Sequence, residues 1–365
     1  MNIKEIISVL EALASPALQE NYDNAGLITG DPSAACSGIL ISLDATEEIV
    51  EEAIRKNCNL IVAHHPVVFK GLKKLNGKNY VERTVIKAIK NDISIYAIHT
   101  NLDNVSYGVN KQFAERLGLT NFKVLAPKAG VLRKLVTFGP ENYAGKIRSA
   151  LFEGGAGAIG KYSECSFNVF GKGTFKAGEN ADPFVGEIGK LQTEDEVRIE
   201  VIYPFYLESA ILTKLREAHP YEEIAYYISE LLNTDQNTGS GMIGDLEKPM
   251  KENDFMNMVK KSLNVPVIRH SAFTGKTIKK IALCGGAGFF LLPSAIAAGA
   301  DAYITADVKY HEFFDAEGKI LLADVGHYES EQFTIDLLVT ILQRKFPNFA
   351  VQKTELSTNS VHYFV

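Results

Sequence analysis

Residues 59–66, Asn-Leu-Ile-Val-Ala-His-His-Pro, constrain the fold more than any other stretch of the chain. Four consecutive apolar residues predict a strand that is buried on both faces, as strands of parallel sheets are. Two histidines follow at once, and Pro66 ends the strand because proline cannot donate a ladder hydrogen bond. Ligands of open α/β sheets bind at the carboxyl ends of strands, where His64 and His65 would stand.

The adjacent histidines have two interpretations. Successive residues of a regular strand point to opposite faces, so a neighbouring pair suits two adjacent centres better than one. Alternatively, His64 and His65 only cap the strand and bond to nearby backbone, since histidine is both a common metal ligand and an ordinary polar cap. Residues elsewhere in the chain decide between the two.

Length and composition predict a soluble protein of two or three domains. The chain has 365 residues, more than a single core usually holds. A net charge of -6 and a pI near 5.8 provide no basic surface, so nucleic-acid binding is not indicated. The four cysteines are widely separated without a Cys-x-x-Cys pair, which argues against a thiolate zinc site and a disulfide framework. Such cysteine usage is typical of the reducing cytoplasm, where we expect the protein.

Residues 281–300 carry no charge and are long enough to suggest a membrane span. Three glycines and Pro293 interrupt them, however, so we predict a strand, a glycine turn and a buried helix instead. The N-terminus has an amphipathic pattern that includes charged residues, and it is predicted to be a helix and not a signal peptide. No membrane segment is therefore expected.

Residues 1–129 are predicted to form the first half of an α/β core. Strands alternate with helices, and strand ends carry polar residues such as Asp44 and the run His99–Asp103. This alternation is typical of βαβ units, whose strands run parallel. The predicted strands are 39–43, 60–63 and 93–98, and the predicted helices are 46–56, 80–91 and 109–117.

Residues 130–233 are predicted to form a separate, inserted domain. The order strand–helix–strand–strand–helix–strand is that of a ferredoxin-like fold, and about 100 residues is an ordinary domain size. A glycine-rich run at 154–157 lacks the lysine and hydroxyl residue of a P-loop, so it predicts a helix end and a turn. The predicted strands are 132–138, 164–175, 197–203 and 224–229, and the predicted helices are 141–152 and 208–218.

Residues 234–365 return to the first pattern after a predicted polar link at 233–241. Strands again alternate with helices and again end in polar residues. This repetition of the strand–helix pattern favours an α/β fold class in which two similar halves form one core, with the ferredoxin-like domain inserted between them. The predicted strands are 281–284, 302–305 and 320–323, and the predicted helices are 289–298 and 331–346.

His327 and Glu331 follow the last of these strands four residues apart. At a helix start such a pair lies on one face and would offer a nitrogen and an oxygen ligand together; an ordinary helix-surface pair is the alternative. With His64, His65 and Asp103 they make three imidazoles and two carboxylates, each at or just after a predicted strand end. One metal ion needs about three or four protein ligands, whereas five suit two ions about 3.5–4 Å apart. Histidine and carboxylate without cysteine favour zinc, manganese, iron or cobalt over calcium.

Specific motifs are spread over nearly the whole chain. Those of the core are NYDNAGL at 21–27, HHP at 64–66, HTNLD at 99–103, TADVKYHE at 305–312 and GHYESE at 326–331. Those of the middle segment are GAGAIGKYSECSF at 155–167, GKGTF at 171–175 and HPYEEIAY at 219–226. With these motifs the chain resembles the GTP cyclohydrolase 1 type 2 family, also called Nif-three-like dinuclear-metal proteins. The middle segment is similar to the PII-like and CutA-like module of longer bacterial members.

The resemblance implies two divalent metal ions per chain. The matching ligand positions are His64, His65, Asp103, His327 and Glu331. Zinc is the favoured metal, with manganese, iron or cobalt as alternatives. His99, Lys309 and His311 match as neighbours of the centre and are the candidate catalytic residues, and Asp307 matches beside them. The resemblance also implies a homohexamer of two trimers face to face, with sites that line an internal cavity and take a small-molecule substrate such as a nucleotide.

The leading hypothesis is a metal-dependent hydrolase, in which a water between two metals loses its proton near neutral pH and attacks an electrophilic carbon or phosphorus. The family name implies opening of the imidazole ring of GTP with release of formate. No motif in the sequence indicates a guanine-binding site. The alternatives are a two-metal phosphoesterase or nuclease, which phosphodiester substrates would reveal, and a non-enzymatic hexameric scaffold that binds metal or an effector. Assembly that depends on metal without any turnover would indicate the scaffold.

Overall fold

The apolar residues before the histidine pair form a buried strand, as predicted. All four residues of Leu60–Ala63 are buried, and their strand is the third of five in its sheet. The computed structural model describes residues 1–364, which have a mixed α/β fold with three sheets. The chain forms two compact units: the first comprises Met1–Ala126 and the chain from Asn237 onwards, and the second comprises Pro127–Gln236.

Helices and strands alternate in the first part of the chain. In order, these elements are α1 (Ile3–Leu13), β1 (Gly26–Thr29), β2 (Ile39–Ser42), α2 (Glu47–Arg55), β3 (Leu60–Ala63), α3 (Tyr80–Lys90), β4 (Ser94–Ala97), α4 (Thr100–Asp103), α5 (Val109–Arg116) and β5 (Thr120–Lys128). Local chemistry explains the helix starts. At α2, the Thr46 hydroxyl accepts a hydrogen bond from the Ile49 N–H, and two glutamates in the first turn face the positive end of the helix dipole.

The second unit has the element order strand–helix–strand–strand–helix–strand. Its elements are β6 (Leu132–Pro140), α6 (Ala144–Glu153), β7 (Phe167–Lys176), β8 (Leu191–Pro204), α7 (Glu208–Ala218) and β9 (Tyr226–Glu230). The sheet order is β7-β8-β6-β9, and all three pairings are antiparallel. Leu135, Ile199 and Val201 pack against Ile147 and Ile211 of the two helices to form the core of this unit. The relation of this unit to PII-like proteins stays a prediction.

The chain then returns to the first unit. The remaining elements are β10 (Asp235–Lys251), α8 (Glu252–Leu263), β11 (Arg269–His270), β12 (Thr277–Leu283), α9 (Leu292–Ala297), β13 (Ala302–Thr305), β14 (Leu321–Asp324), α10 (His327–Glu331), α11 (Thr334–Lys345) and β15 (Val351–Lys353). A glycine turn and a short 3-10 helix, Phe289–Leu291, separate β12 from α9, in agreement with the predicted strand, turn and helix. Among residues 1–364, no helix has both the length and the apolar character that a membrane crossing requires.

The two sheets of the first unit are each built around parallel strands. The first has the order β1-β4-β3-β2-β15, in which all neighbours except β1 and β4 run parallel. The second has the order β11-β14-β13-β12-β10-β5, in which β12, β13 and β14 run parallel. Parallel strands bring their carboxyl ends to one edge of a sheet, so the polar residues that follow them are gathered there.

One sequence-based assignment is wrong, and another differs from the structure at its start. Asp235–Gly241, predicted to lie in a polar link, are the first residues of β10, a strand of 17 residues. The polar side chains and glycines of this stretch do not reveal its backbone contacts with a distant part of the chain: Thr238 forms an antiparallel β-bridge with Val105, and the Gly239 N–H donates to the Asn104 carbonyl at 2.9 Å. The helix predicted over 331–346 is present as α11 but begins at Thr334, because Glu331 is the last residue of the separate short helix α10.

Candidate metal centre

Polar side chains from both sheets of the first unit meet in one cluster. His64 and His65 directly follow β3, and Asp103 is the last residue of α4, which begins shortly after β4. His327 and Glu331 are the first and last residues of α10, which follows β14. The five ligand positions predicted from the sequence therefore lie close enough to form two overlapping sets of ligand atoms.

The first set consists of two imidazoles and one carboxylate. Glu331 Oε2 lies 2.9 Å from His65 Nε2 and 3.1 Å from His327 Nε2. The two ring nitrogens are themselves 3.3 Å apart. Three donor atoms of metal-ligand type thus surround one small space, and Glu331 is buried.

The second set shares Glu331 and adds His64 and Asp103. His64 Nε2 lies 3.6 Å from Asp103 Oδ1 and 3.9 Å from Glu331 Oε2, too far for a hydrogen bond. Both His64 Nε2 and Asp103 Oδ1 are buried without a hydrogen-bond partner among the described residues. A buried polar atom without a partner costs about 1–3 kcal/mol, so these atoms indicate a missing partner. A divalent cation fits, because it would be coordinated by both atoms.

Hydrogen bonds at Nδ1 set the orientation of each imidazole. His65 Nδ1 donates to Asp44 Oδ1 at 2.8 Å, and His327 Nδ1 donates to Asp307 Oδ2 at 2.7 Å. His64 Nδ1 donates to the Ile98 carbonyl oxygen at 2.8 Å. Because a carboxylate or carbonyl can only accept, each Nδ1 carries the proton, and the lone pair of the neutral ring is on Nε2. Metal-binding histidines are typically held in this way.

His99 has the same arrangement beside the cluster. Its Nδ1 donates to Asp23 Oδ1 at 2.8 Å, and its ring centroid lies 5.3 Å from that of His64 and 5.4 Å from that of His65. These three histidines form a further group whose ligand atoms lie within 4.8 Å of one another. Burial disfavours the charged form of Asp23, but hydrogen bonds from His99 and Thr100 lower its pKa to about 2. Asp23 is therefore an anion that can hold the His99 ring in place.

In the metal-free protein, the imidazoles next to Glu331 hold protons. Burial alone would lower the pKa of His65, but hydrogen bonds to Asp44 and Glu331 raise it to about 9. Burial also opposes the charged form of His327, whereas the charge of Glu331 and the hydrogen bond to Asp307 raise its pKa to about 11. Burial would raise the pKa of Glu331, yet the charge of His327 holds it well below the usual range. A cation bound here would replace protons, as at histidine ligands generally.

The other two candidate catalytic residues lie on an exposed segment. Lys309 precedes the 3-10 helix Tyr310–Ala316, and its Nζ is 3.6 Å from Glu312 Oε1. His311 stacks on Phe314 with ring centroids 6.3 Å apart. Both side chains are exposed and neither belongs to the ligand sets found among the described residues. Sequence spacing could not show this, because the segment leaves the strand end before these residues occur.

The glycine turn after β12 gives space to the shared carboxylate. A Cβ atom on Gly286 would collide with the carboxylate of Glu331, and the φ of Gly286, +61°, is in the left-handed region that glycine adopts without strain. The Gly286 N–H also donates to Ser330 Oγ at 3.0 Å. The sequence predicted a tight turn at this place, and the turn also holds backbone against a candidate ligand.

The cluster opens into a cavity of about 780 Å³. Its walls include His65, His99 and His327 together with residues near the end of the chain, such as Thr358. Sequence reasoning did not single out Asp23 and Asp44 as site residues, or Thr358. A carboxylate just after a predicted strand was a usable signal for Asp44, whereas no local pattern points to Thr358.

The sequence profile of the DUF34/NIF3 (NGG1p interacting factor 3) family matches residues 1–360. A Bacillus subtilis protein named GTP cyclohydrolase 1 type 2 homolog is 38% identical over 330 residues, which cover 90% of this chain and 88% of that protein. A Staphylococcus aureus protein of the same name is 34% identical over 368 residues, which cover both chains completely.

A solved structure is also similar over the whole chain. The crystal structure of a Bacillus cereus protein related to NIF3 superposes with a TM-score of 0.88 and 37% sequence identity, covering 100% of this chain and 99% of that one. Profile, relatives and structure agree with the resemblance read from the motifs. The chain therefore belongs to the DUF34/NIF3 family.

Proposed function

We propose that the protein is a hydrolase that acts with two divalent metal ions and opens the imidazole ring of GTP or a related purine. The observation that carries the proposal is the shared carboxylate, since Glu331 Oε2 lies beside two imidazoles of one set and near His64 of the other. Two-metal hydrolytic centres hold their ions about 3.5–4 Å apart, and a shared ligand serves that purpose. The substrate class comes from the name of the relatives at 38% and 34% identity.

The proposed ligands divide into two sets with one common member. One ion would be held by His65, His327 and Glu331, and the other by His64, Asp103 and Glu331. Ions held there would supply a water of lowered pKa and would polarise the atom under attack. Imidazole and carboxylate donors without a thiolate support zinc first, with manganese, iron or cobalt as alternatives.

We assign proton transfer to His99. Its Nδ1 is committed to Asp23, so Nε2 is the nitrogen that can exchange a proton with a molecule in the cavity that His99 lines. An imidazole held in this way can accept a proton from water and donate it to a nitrogen that leaves the opened ring. Lys309 and His311 are proposed only as contacts to outer parts of the substrate, because both side chains are exposed.

Family membership supports further proposals about the whole protein. Residues 130–233 would be an inserted ferredoxin-like domain of the PII type, and residues 1–129 and 234–365 would be the two similar halves of the core. The chain would assemble as a homohexamer of two trimers in the cytoplasm. Light scattering of the purified protein tests the assembly, since a mass near six times 40.1 kDa is expected.

The function is tested by formate release. Protein loaded with zinc or manganese is incubated with GTP, and formate is measured by a coupled assay. His65→Ala should abolish release, because it removes a ligand from the first set. Glu115→Gln, which changes an exposed carboxylate on α5, is the matched control and should retain full activity.

Other substrates in the same assay distinguish the alternatives. Metal-loaded protein that leaves GTP intact but cleaves phosphodiesters would replace the proposed reaction by phosphoester hydrolysis. Protein that binds metal and assembles, but turns over neither class, would indicate a scaffold. Either result would reject the cyclohydrolase proposal while leaving the metal centre in place.

A further inference from the structure

The chain beyond β15 runs along the cavity of the candidate metal centre. Residues 354–363, here called the tail segment, begin at the buried carboxylate of Glu52, which accepts hydrogen bonds from the Thr354 hydroxyl and, at 2.9 Å, from the Glu355 N–H. Because β15 runs parallel to β2, the tail segment leaves β15 toward the edge at which Asp44 stands. The tail residues that line the cavity are Thr358, Asn359, Ser360, Val361 and Tyr363.

One tail residue is connected to a proposed ligand through a single intermediate. The Thr358 hydroxyl donates to Asp44 Oδ2 at 2.5 Å, and Asp44 Oδ1 accepts from His65 Nδ1 at 2.8 Å. Each oxygen of the Asp44 carboxylate thus accepts one hydrogen bond, Oδ1 from His65 and Oδ2 from Thr358. A carboxylate with two directed partners has a fixed plane, so the hydroxyl of Thr358 helps to fix the plane of the His65 ring.

A second contact fixes the next tail residue. Asn359 Nδ2 donates to Glu329 Oε1 at 2.9 Å, and Asn359 Oδ1 accepts from the Val361 N–H at 3.0 Å. Glu329 is a buried residue of α10, the helix that carries His327 and Glu331. The tail segment is therefore bonded to the carboxyl edge of the first sheet through Asp44 and to α10 through Glu329, and both of these residues line the cavity.

We propose that Thr358 is a positioning residue for His65, and that the tail segment is a fixed wall of the substrate cavity. The proposal rests on the proposed two-metal function, because the orientation of His65 matters for chemistry only where His65 binds an ion. It goes beyond that function by assigning a role to residues outside the ligand sets and outside the family motifs.

The expected effect is confined to one of the two ions. Asp44 contacts His65, which, of the two proposed ligand sets, belongs to the one with His327 and Glu331. His64 is oriented separately, by the Ile98 carbonyl. Loss of the Thr358 hydroxyl should therefore weaken the ion of the first set and leave the ion of the second set unchanged. A tail that only stabilised the fold would affect both ions alike.

The test compares Thr358→Val, Thr358→Ser and the control Thr340→Val in full-length protein. Thr340 lies on α11, and its hydroxyl donates to the Asp336 carbonyl at 2.7 Å. Zinc retention is measured against a chelator series. Changes to residues that orient metal ligands cost about 10–100-fold in affinity, and we expect about tenfold for one of two zinc ions in Thr358→Val. Thr358→Ser should restore wild-type retention, and Thr340→Val should match it throughout.

A measurement on metal-free protein separates this proposal from the proposed function. With nitrogen-labelled histidine, the Nδ1 resonance of His65 should shift in Thr358→Val and return in Thr358→Ser. If the wild type bound no zinc, the two-metal function would fail, yet the resonance would still report on the contact. An unchanged His65 resonance, equal weakening of both ions, or no rescue by serine would each overturn the positioning role of Thr358.

Discussion

The two units of the protein use a buried histidine in opposite ways. In the second unit, His219 Nε2 donates to the Phe138 carbonyl at 2.8 Å, and its Nδ1 accepts from the Tyr221 N–H at 3.1 Å. Both ring nitrogens are occupied by backbone. In the first unit, His64 has only Nδ1 occupied, and its Nε2 is buried without a partner among the described residues.

The difference shows how a structural histidine can be told from a candidate ligand. His219 behaves as a neutral bridge between two backbone groups, and neither nitrogen is available for an ion. His64, His65 and His327 each bond through Nδ1 to an oxygen, and their Nε2 atoms belong to the two ligand sets. Burial alone does not separate the two cases, since His219 and His64 are both buried. The surroundings of the second nitrogen do separate them. In His219 it bonds to backbone, whereas in His65 and His327 it faces another side chain of metal-ligand type, and in His64 it has no partner among the described residues.

The largest effect is expected at the shared carboxylate. Of the five proposed ligands, Glu331 alone belongs to both sets. Glu331→Gln should reduce the metal content from about two ions per chain to nearly none, as measured by elemental analysis after dialysis. Glu115→Gln is the control and should keep both ions. Retention of one full ion by Glu331→Gln would show that the two sets do not share this residue.

A smaller effect is expected at the carboxylates that orient the imidazoles. Asp307→Asn removes the anion that accepts from His327 Nδ1, and Asp44→Asn does the same for His65. Each change should weaken zinc binding by about 10–100-fold, as other substitutions behind a histidine ligand do. Chelator competition measures the loss. Binding equal to that of the wild type in both variants would mean that the Nδ1 contacts do not tune these histidines.

His99 tests whether a histidine whose Nδ1 bonds to a carboxylate is necessarily a metal ligand. Asp23→Asn removes the anion that holds Nδ1 of His99, a residue assigned here to proton transfer and not to metal binding. Zinc retention should therefore stay within about twofold of the wild type, while formate release from GTP falls about 10–100-fold. A loss of one ion in Asp23→Asn would instead make His99 a third ligand beside His64 and His65.

The residues predictable from the sequence are those whose position follows from strand periodicity. The buried run Leu60–Ala63 predicts a strand of a parallel sheet, and that places His64 and His65 at its carboxyl end. The spacing of His327 and Glu331 predicts one helix face, which α10 provides in a single short helix. The meeting of these segments in space is indicated by their common position at strand ends and implied by the resemblance.

The residues that sequence reasoning missed depend on contacts distant in the chain. Thr358 reaches Asp44 across 314 positions, and Asp23 reaches His99 across 76. Similarly, Asp235–Gly241 look like a link because their composition is polar, yet pairing makes them part of β10. Periodicity describes only the contacts that a residue makes within its own element, so it carries no information on such partners.

The smallest effect is expected in the second unit and follows from the titration of His219. Burial lowers the pKa of His219 below its ordinary value of 6.5, although the hydrogen bond to the Phe138 carbonyl partly opposes this. At pH values between the lowered pKa of the folded protein and 6.5, the unfolded chain binds more protons than the folded protein. The free energy of unfolding therefore falls as the pH is lowered through 6.5 and is highest above about pH 7.

The substitution His219→Gln turns this expectation into a test of the opening comparison. A glutamine amide can donate to the Phe138 carbonyl and accept from the Tyr221 N–H, but it does not titrate. The opening free energy of β6 and β8, obtained from hydrogen exchange corrected for the intrinsic exchange rate, should then lose most of its decrease between pH 7 and pH 5. The metal content should stay at the wild-type value. An unchanged pH response in His219→Gln would show that the neutral bridge does not couple to the stability of this unit. A loss of metal would show that a histidine whose two nitrogens both bond to backbone also affects the metal centre, which would contradict this distinction.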